Sequence, residues 1–160
     1  MHDSFRLSAI LTLCVGLCGA PATAQQAPLR DQLAGTWTMV SSTGRFGANP
    51  KGQMILLPNG RFSFMISRAD MPKFAVNNVN QGTAEENAAA VKGVIANFGT
   101  WSVDEATKTL TTNVEASTFP NLSGNSQKRT ITSLTADELK YTNPTSVAGT
   151  VDEGVWKRVK

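Results

Sequence analysis

Leu33-Ala34-Gly35-Thr36-Trp37-Thr38-Met39-Val40 reads as a short approach, a glycine, a tryptophan and then an alternating strand. Trp37, Met39 and Ser41 alternate with Thr36, Thr38 and Val40. An alternation of β-forming residues argues for a strand with one face turned to a core. Val151 to Val159, which carries Trp156 and Arg158, is expected to be the last strand and to close back onto this first one.

Outward from that stretch the chain is a succession of short strand signals. Gly44 to Gly52 is rich in glycine and holds Pro50, so it reads as a loop. Gln53 to Leu57 and Arg61 to Ser67 flank Pro58-Asn59-Gly60, a strong hairpin cue because Asn and Gly both tolerate positive φ. Arg68 to Gly82 is irregular. Thr83-Ala84-Glu85-Glu86 fits a capping box, and Val91, Val94, Ile95 and Phe98 are spaced for one face of a helix from Ala84 to about Asn97, expected to cover the barrel or one of its mouths. Phe98 to Val103, Lys108 to Glu115, Gln127 to Leu134, Glu138 to Asn143 and Val151 to Val159 bring the strands to eight. Short strands at regular spacing mean a sandwich or a barrel, and the nearly continuous hairpin connections favour an up-and-down meander. The fold expected is all-β: an eight-stranded antiparallel up-and-down barrel with one short helix, able to fill its interior with side chains or to hold one small ligand.

A length of 160 residues suggests one domain. The first residues are expected to lie outside it. A polar head with Arg6, an apolar run from Leu7 to Leu17 and an Ala22-Thr23-Ala24 ending have the form of a secretory signal peptide over residues 1–24, too short in its apolar part for the roughly 20 residues that span a bilayer. Residues 25–32 then read as a loosely ordered polar leader and residues 33–160 as the barrel. Removal of residues 1–24 would take with it Cys14, Cys18 and His2, the only cysteines and the only histidine, so the exported protein would have neither. That excludes a Ser-His-Asp triad, a thiolate nucleophile, a disulfide and a zinc site of the usual ligands. No metal site and no cofactor is expected. The net charge of +3 is mild and spread out, which argues against a nucleic-acid partner; no membrane span is expected after export.

Leu33-Ala34-Gly35-Thr36-Trp37, taken with Trp156-Lys157-Arg158, resembles the lipocalin signature. The chain is more similar still to the small lipocalin-like domain proteins of bacteria and fungi, through Gly35 to Ser41, Gly60-Arg61, Phe98-Gly99-Thr100, and Val114-Glu115-Ala116-Ser117 with Phe119-Pro120-Asn121, Gly124, Gln127 and Arg129. The resemblance spans about Leu33 to Arg158. It implies a calycin-type barrel in which Gly35, Trp37, Trp156 and Arg158 form a closure at one end, with the arginine packed across a tryptophan. Relatives often carry histidines where this chain has Thr112 and Asn113.

The polar residues singled out as a candidate ligand site are Asn113, Glu115, Asn121, Gln127 and Arg129, with Phe62, Phe64, Trp101 and Tyr141 as an apolar wall. Alternation puts Thr111, Asn113 and Glu115 on one face and Leu110, Thr112 and Val114 on the other. With the first set inside, Glu115 and Arg129 would pair within the barrel and could face a ligand; with the second set inside, they would be a surface pair. Arg68 and Asp70 are placed by the long loop, near an open mouth. Three functions follow. The first is an exported barrel that binds or carries a small apolar or amphipathic molecule, entering near the Gly44–Gly52 and Arg68–Gly82 loops. The second is an isomerase or cyclase with Glu115 as acid/base and Arg129 orienting a carbonyl. The third is a barrel with a filled core that acts through its outer surface as an inhibitor or envelope interaction protein.

Overall fold

The computed structural model describes residues 27–47 and 49–160. The expected signal peptide lies outside the described residues. Eight strands form a closed antiparallel barrel in which each pairs with its neighbour in sequence and the last with the first. They are β1 (Gly35–Ser42), β2 (Lys51–Leu56), β3 (Arg61–Ser67), β4 (Val94–Asp104), β5 (Thr109–Ser117), β6 (Ser126–Leu134), β7 (Glu138–Asn143) and β8 (Asp152–Arg158). Among the described residues two α-helices accompany them, α1 (Leu29–Leu33) and α2 (Ala84–Gly93). The closing seam sets Trp37 opposite Arg158 and Met39 opposite Trp156. Closure leaves no sheet edge unpaired.

Two sequence expectations need correcting at the ends of elements. The leader does not stay irregular: from Leu29 it winds into α1, and Leu33 is fully buried. Glu105, in the β4–β5 turn, accepts the Leu29 amide at 2.7 Å, and Arg30 donates to the Pro58 carbonyl at 3.1 Å while lying over the Trp101 ring. The helix expected to Asn97 stops at Gly93, and Val94, Ile95 and Phe98 belong to β4. Ile95 pairs with Ile66 and Asn97 with Phe64, so ladder bonding overrides a spacing that fits a helix equally well. Val91, placed on the same apolar face, is 67% exposed, and the single buried residue of α2 is Gly93. The capping box is present: Thr83 Oγ1 accepts the Glu86 amide at 3.2 Å and the Glu86 carboxylate accepts the Thr83 amide at 2.8 Å. Arg45 donates to the carbonyls of Lys92 and Val94, where α2 gives way to β4.

The hairpin at Pro58-Asn59-Gly60 forms, with one difference. Gly60 has φ +87°, and Asn59 does not adopt positive φ. The Gly60 amide bonds to Leu57 at 2.9 Å, so Pro58 occupies the second position of a β-turn and glycine alone takes the left-handed position after it.

An up-and-down order sends alternate connections to opposite ends. The turns β2–β3, β4–β5 and β6–β7 share one end with α1. The β1–β2, β3–β4, β5–β6 and β7–β8 connections gather at the other. At the α1 end the barrel is shut. Trp37 is fully buried, its indole N–H donates to Leu33 at 2.9 Å, and the Arg158 guanidinium lies 4.1 Å from its ring centroid. Arg158 also donates to the carbonyls of Gln32, Ala34 (2.8 Å) and Ala136 (2.6 Å), tying α1 to the β6–β7 turn. Gly35, at φ +138°, makes room for it: a Cβ there would lie 2.5 Å from Arg158 Nη1. Trp156, expected at this closure, instead lies a layer deeper in the barrel, with its ring 5.7 Å from Phe64 and 6.3 Å from Tyr141. Among the described residues no helix is long and apolar enough to cross a membrane.

Candidate functional site

The open end leads into a cavity of about 60 Å³. Its floor is the aromatic layer of Phe64 and Tyr141, with Arg129 between them. Its walls are Met39, Ile66, Ile95 and Asn97, and its rim comes from Phe46, Leu122, Ser146 and Val147 on three of the loops, with Asp152 at the start of β8. Ligand pockets are commonly about 300–1,000 Å³. This one has room for a carboxylate-sized group or a few waters, because Met39, Met54, Phe64, Tyr141 and Trp156 fill the middle of the barrel.

β5 settles which face is interior. Leu110, Thr112 and Val114 are buried, and Asn113 and Glu115 point outward. The β5–β6 register sets Arg129 opposite Leu110. Paired residues share a face, so Arg129 points in while Glu115 points out. The expected Glu115–Arg129 pair therefore forms on neither face. Glu115, with its side chain 48% exposed, takes a fork of hydrogen bonds from Arg61 on β3, which holds its carboxyl below the ordinary value. Asn113 accepts from Ser126 at 2.6 Å on the outside, and Asn121 lies exposed in the short helical turn Pro120–Leu122. Phe62 and Trp101 are core residues that do not line the cavity; the Trp101 indole donates to Leu57 at 2.9 Å. Arg68 and Asp70 pair with each other at 2.7 Å on the open-end loop, outside the cavity wall. Of the residues singled out in the sequence, Phe64, Gln127, Arg129 and Tyr141 come together.

Arg129 is the unusual member. It is 6% exposed, and none of the ion pairs among the described residues includes it. Nη1 donates to Thr112 Oγ1 at 3.0 Å, while the sealed Nε has no partner. The guanidinium carbon lies 5.3 Å from the Phe64 ring centre and 5.5 Å from that of Tyr141. Two aromatic faces and one hydroxyl compensate part of the cost of burying this charge, but a buried cation is ordinarily matched by an anion. Thr112, where the resemblance leads one to expect histidine, supplies the one hydrogen bond.

The sequence reading missed Asn97. It is 7% exposed, lines the same cavity, and its side chain makes no hydrogen bond among the described residues. Asn97 falls in a segment whose apolar spacing suits the end of a helix, which hides its place on the inner face of a strand. Glycine shapes the opposite wall: a Cβ on Gly154 would lie 3.0 Å from the Tyr141 ring. Two acidic residues, Asp152 and Glu153, line the cavity, and Asp152 accepts from Thr150 at 2.9 Å. From the rim a shallow apolar groove of about 210 Å³ continues past Val147 to Val91, Val94 and Phe119. No group of three or more His, Cys, Asp or Glu among the described residues is placed to hold a metal ion.

A solved structure of a redesigned beta barrel is similar at 16% identity and a TM-score of 0.48, covering 83% of this chain and 96% of its own. No curated protein matches the chain. The family model described as a lipocalin-like domain matches residues 34–159, from the approach to Trp37 to the end of the closing strand. The chain belongs to the lipocalin-like domain family.

Proposed function

We propose that this protein is an exported lipocalin-like barrel that binds or carries a small amphipathic molecule at its open end. The observation that supports this reading is the cavity of about 60 Å³, which opens among the loops opposite α1 and combines an apolar wall with unused polar groups. A ligand of ordinary size places one group in that cavity and rests the remainder on the rim of Phe46, Leu122 and Val147. The signal-like residues 1–24 support export to the periplasm or the medium. Native mass spectrometry of the protein recovered after export tests both parts. The polypeptide is expected to have lost residues 1–24 and to carry, or take up from an added amphiphile library, a small molecule. A chain that keeps residues 1–24 sinks the export reading. A chain that takes up nothing sinks the binding one.

The tight packing of the mid-barrel favours one second reading, a filled core acting through its outer surface, where Val40, Met65 and Phe98 are exposed. The acid/base reading loses its residue, since Glu115 is on the outside and engaged by Arg61.

A further inference from the structure

The polar groups around the cavity differ in how well they are satisfied. At the closed end, Arg158 spends its donors on three carbonyls, and at the rim Arg45 spends its own on two. Arg129 is more deeply buried than either and uses one donor, on Thr112. Asn97 and the Tyr141 hydroxyl, which line the same cavity, make no hydrogen bonds among the described residues. All three of these groups line the one cavity of about 60 Å³. What they jointly offer is a positive charge with free N–H donors, a phenolic hydroxyl and an amide.

We infer that Arg129, with Tyr141 and Asn97, forms an anion subsite, and that the ligand is an amphipathic carboxylate entering head first. The inference rests on the proposed binding function and names its ligand class. A planar carboxylate accepts two N–H bonds from a guanidinium fork, and the remaining lone pairs suit a hydroxyl and an amide N–H. Its charge also neutralises the buried cation, so binding removes a cost that the free protein bears. The size of the cavity selects the head group alone. The tail passes the apolar rim at Phe46, Leu122 and Val147 and lies along the groove of Val91, Val94 and Phe119. Asp152 and Glu153 both line the cavity; Asp152 is hydrogen-bonded to Thr150 and close enough to Arg45 for that guanidinium to offset part of the acidity an entering anion meets.

Three probes of matched length, octanoate, 1-octanol and octylamine, test this by calorimetry and by the fluorescence of the tryptophans, one of which, Trp156, packs against Phe64 and Tyr141. Wild-type protein is expected to bind octanoate about tenfold or more tightly than octanol, and octylamine most weakly. R129M is expected to keep octanol affinity and to lose the preference for the acid. Y141F is expected to weaken octanoate by about threefold to tenfold, leaving octanol near its original affinity. Equal binding of acid and alcohol by the wild type overturns the anion subsite and leaves the small-molecule reading in place. Retention of the acid preference in folded R129M also overturns it. Binding of no probe overturns the small-molecule reading itself. Should R129M fail to fold, R129K decides: it keeps the charge without the fork, and undiminished octanoate preference in it refutes recognition by bidentate geometry.

Discussion

Replacing Trp37 with alanine tests the closed end of the barrel most directly. The side chain is fully buried, and an indole contributes about 150–250 Å² of buried surface. At about 25 cal/mol per Å² that is worth about 4–6 kcal/mol, an upper limit because an unfolded chain already hides part of its apolar surface. Truncation also strands the Leu33 carbonyl and takes the ring from beneath Arg158. Partial settling of α1 into the space works in the opposite direction. The expected loss is therefore about 3–5 kcal/mol, in the range measured for truncating large aromatic residues in cores. A domain has about 5–15 kcal/mol in total, so W37A should unfold at much lower urea, with the slope of the transition unchanged. A cycle with R158M separates the ring–cation contact from simple burial: the coupling between the two sites should be about 1–2 kcal/mol. A loss below about 1.5 kcal/mol in W37A, or a coupling of about zero, would refute the picture of a lid held by an arginine.

Gly35→Ala should lower stability by about 2 kcal/mol or more, because alanine must both adopt φ +138° and displace Arg158 Nη1; urea denaturation reads this. Glu115→Gln should leave both the urea midpoint and probe binding nearly unchanged, and a marked loss of binding would contradict its outward placement. Acid should loosen the start of α2 before the barrel. The amides of Thr83 and Ala75 hold the Glu86 carboxyl below its ordinary value of 4.5, so its contribution is complete above that value and fades as pH falls through the lowered one. Amide exchange at Thr83 and Ala75 should accelerate, relative to exchange in β1 and β8, as pH is taken below the ordinary value of 4.5.

The barrel itself was legible because its signal is local. Alternation around Trp37, the hairpin at Pro58-Asn59-Gly60 and the box at Thr83–Glu86 each depend on neighbours in sequence. Legibility failed where partners decide. The series Val91, Val94, Ile95 and Phe98 suits a helix and a strand alike, and pairing with β3 chose the strand from Val94 on. The candidate site failed at Glu115 for a reason of parity. A face assignment within one strand says nothing about the next until the register across the intervening loop is known. That register put Arg129 opposite Leu110 and so separated it from Glu115. Asn97 was hidden by the same helix reading. Residues 29–32 looked like part of a leader because what holds them lies far along the chain: Leu29 packs against the core, and the Glu105 carboxylate that receives its amide is 76 residues away.

Arg129 and Arg158 show why the interior cation is hard to explain as structure alone. Both come from the strands β6 and β8 and both lie over aromatic rings. Arg158 is bound by carbonyls of α1 and of the β6–β7 turn, so its removal would unfasten two elements at once. Arg129 fastens one hydroxyl. An aliphatic side chain would pack between Phe64 and Tyr141 without the desolvation cost, and replacement of buried charges by apolar residues is often neutral or stabilising. If Arg129 serves packing only, R129M should match or exceed the wild type in stability and bind octanoate as the wild type does. If it serves an anion, R129M should gain stability in the free protein by up to about 1–4 kcal/mol while losing the acid preference, since the cost borne by the empty site is what binding relieves. Stability and binding then move in opposite directions in one variant, which packing alone does not produce.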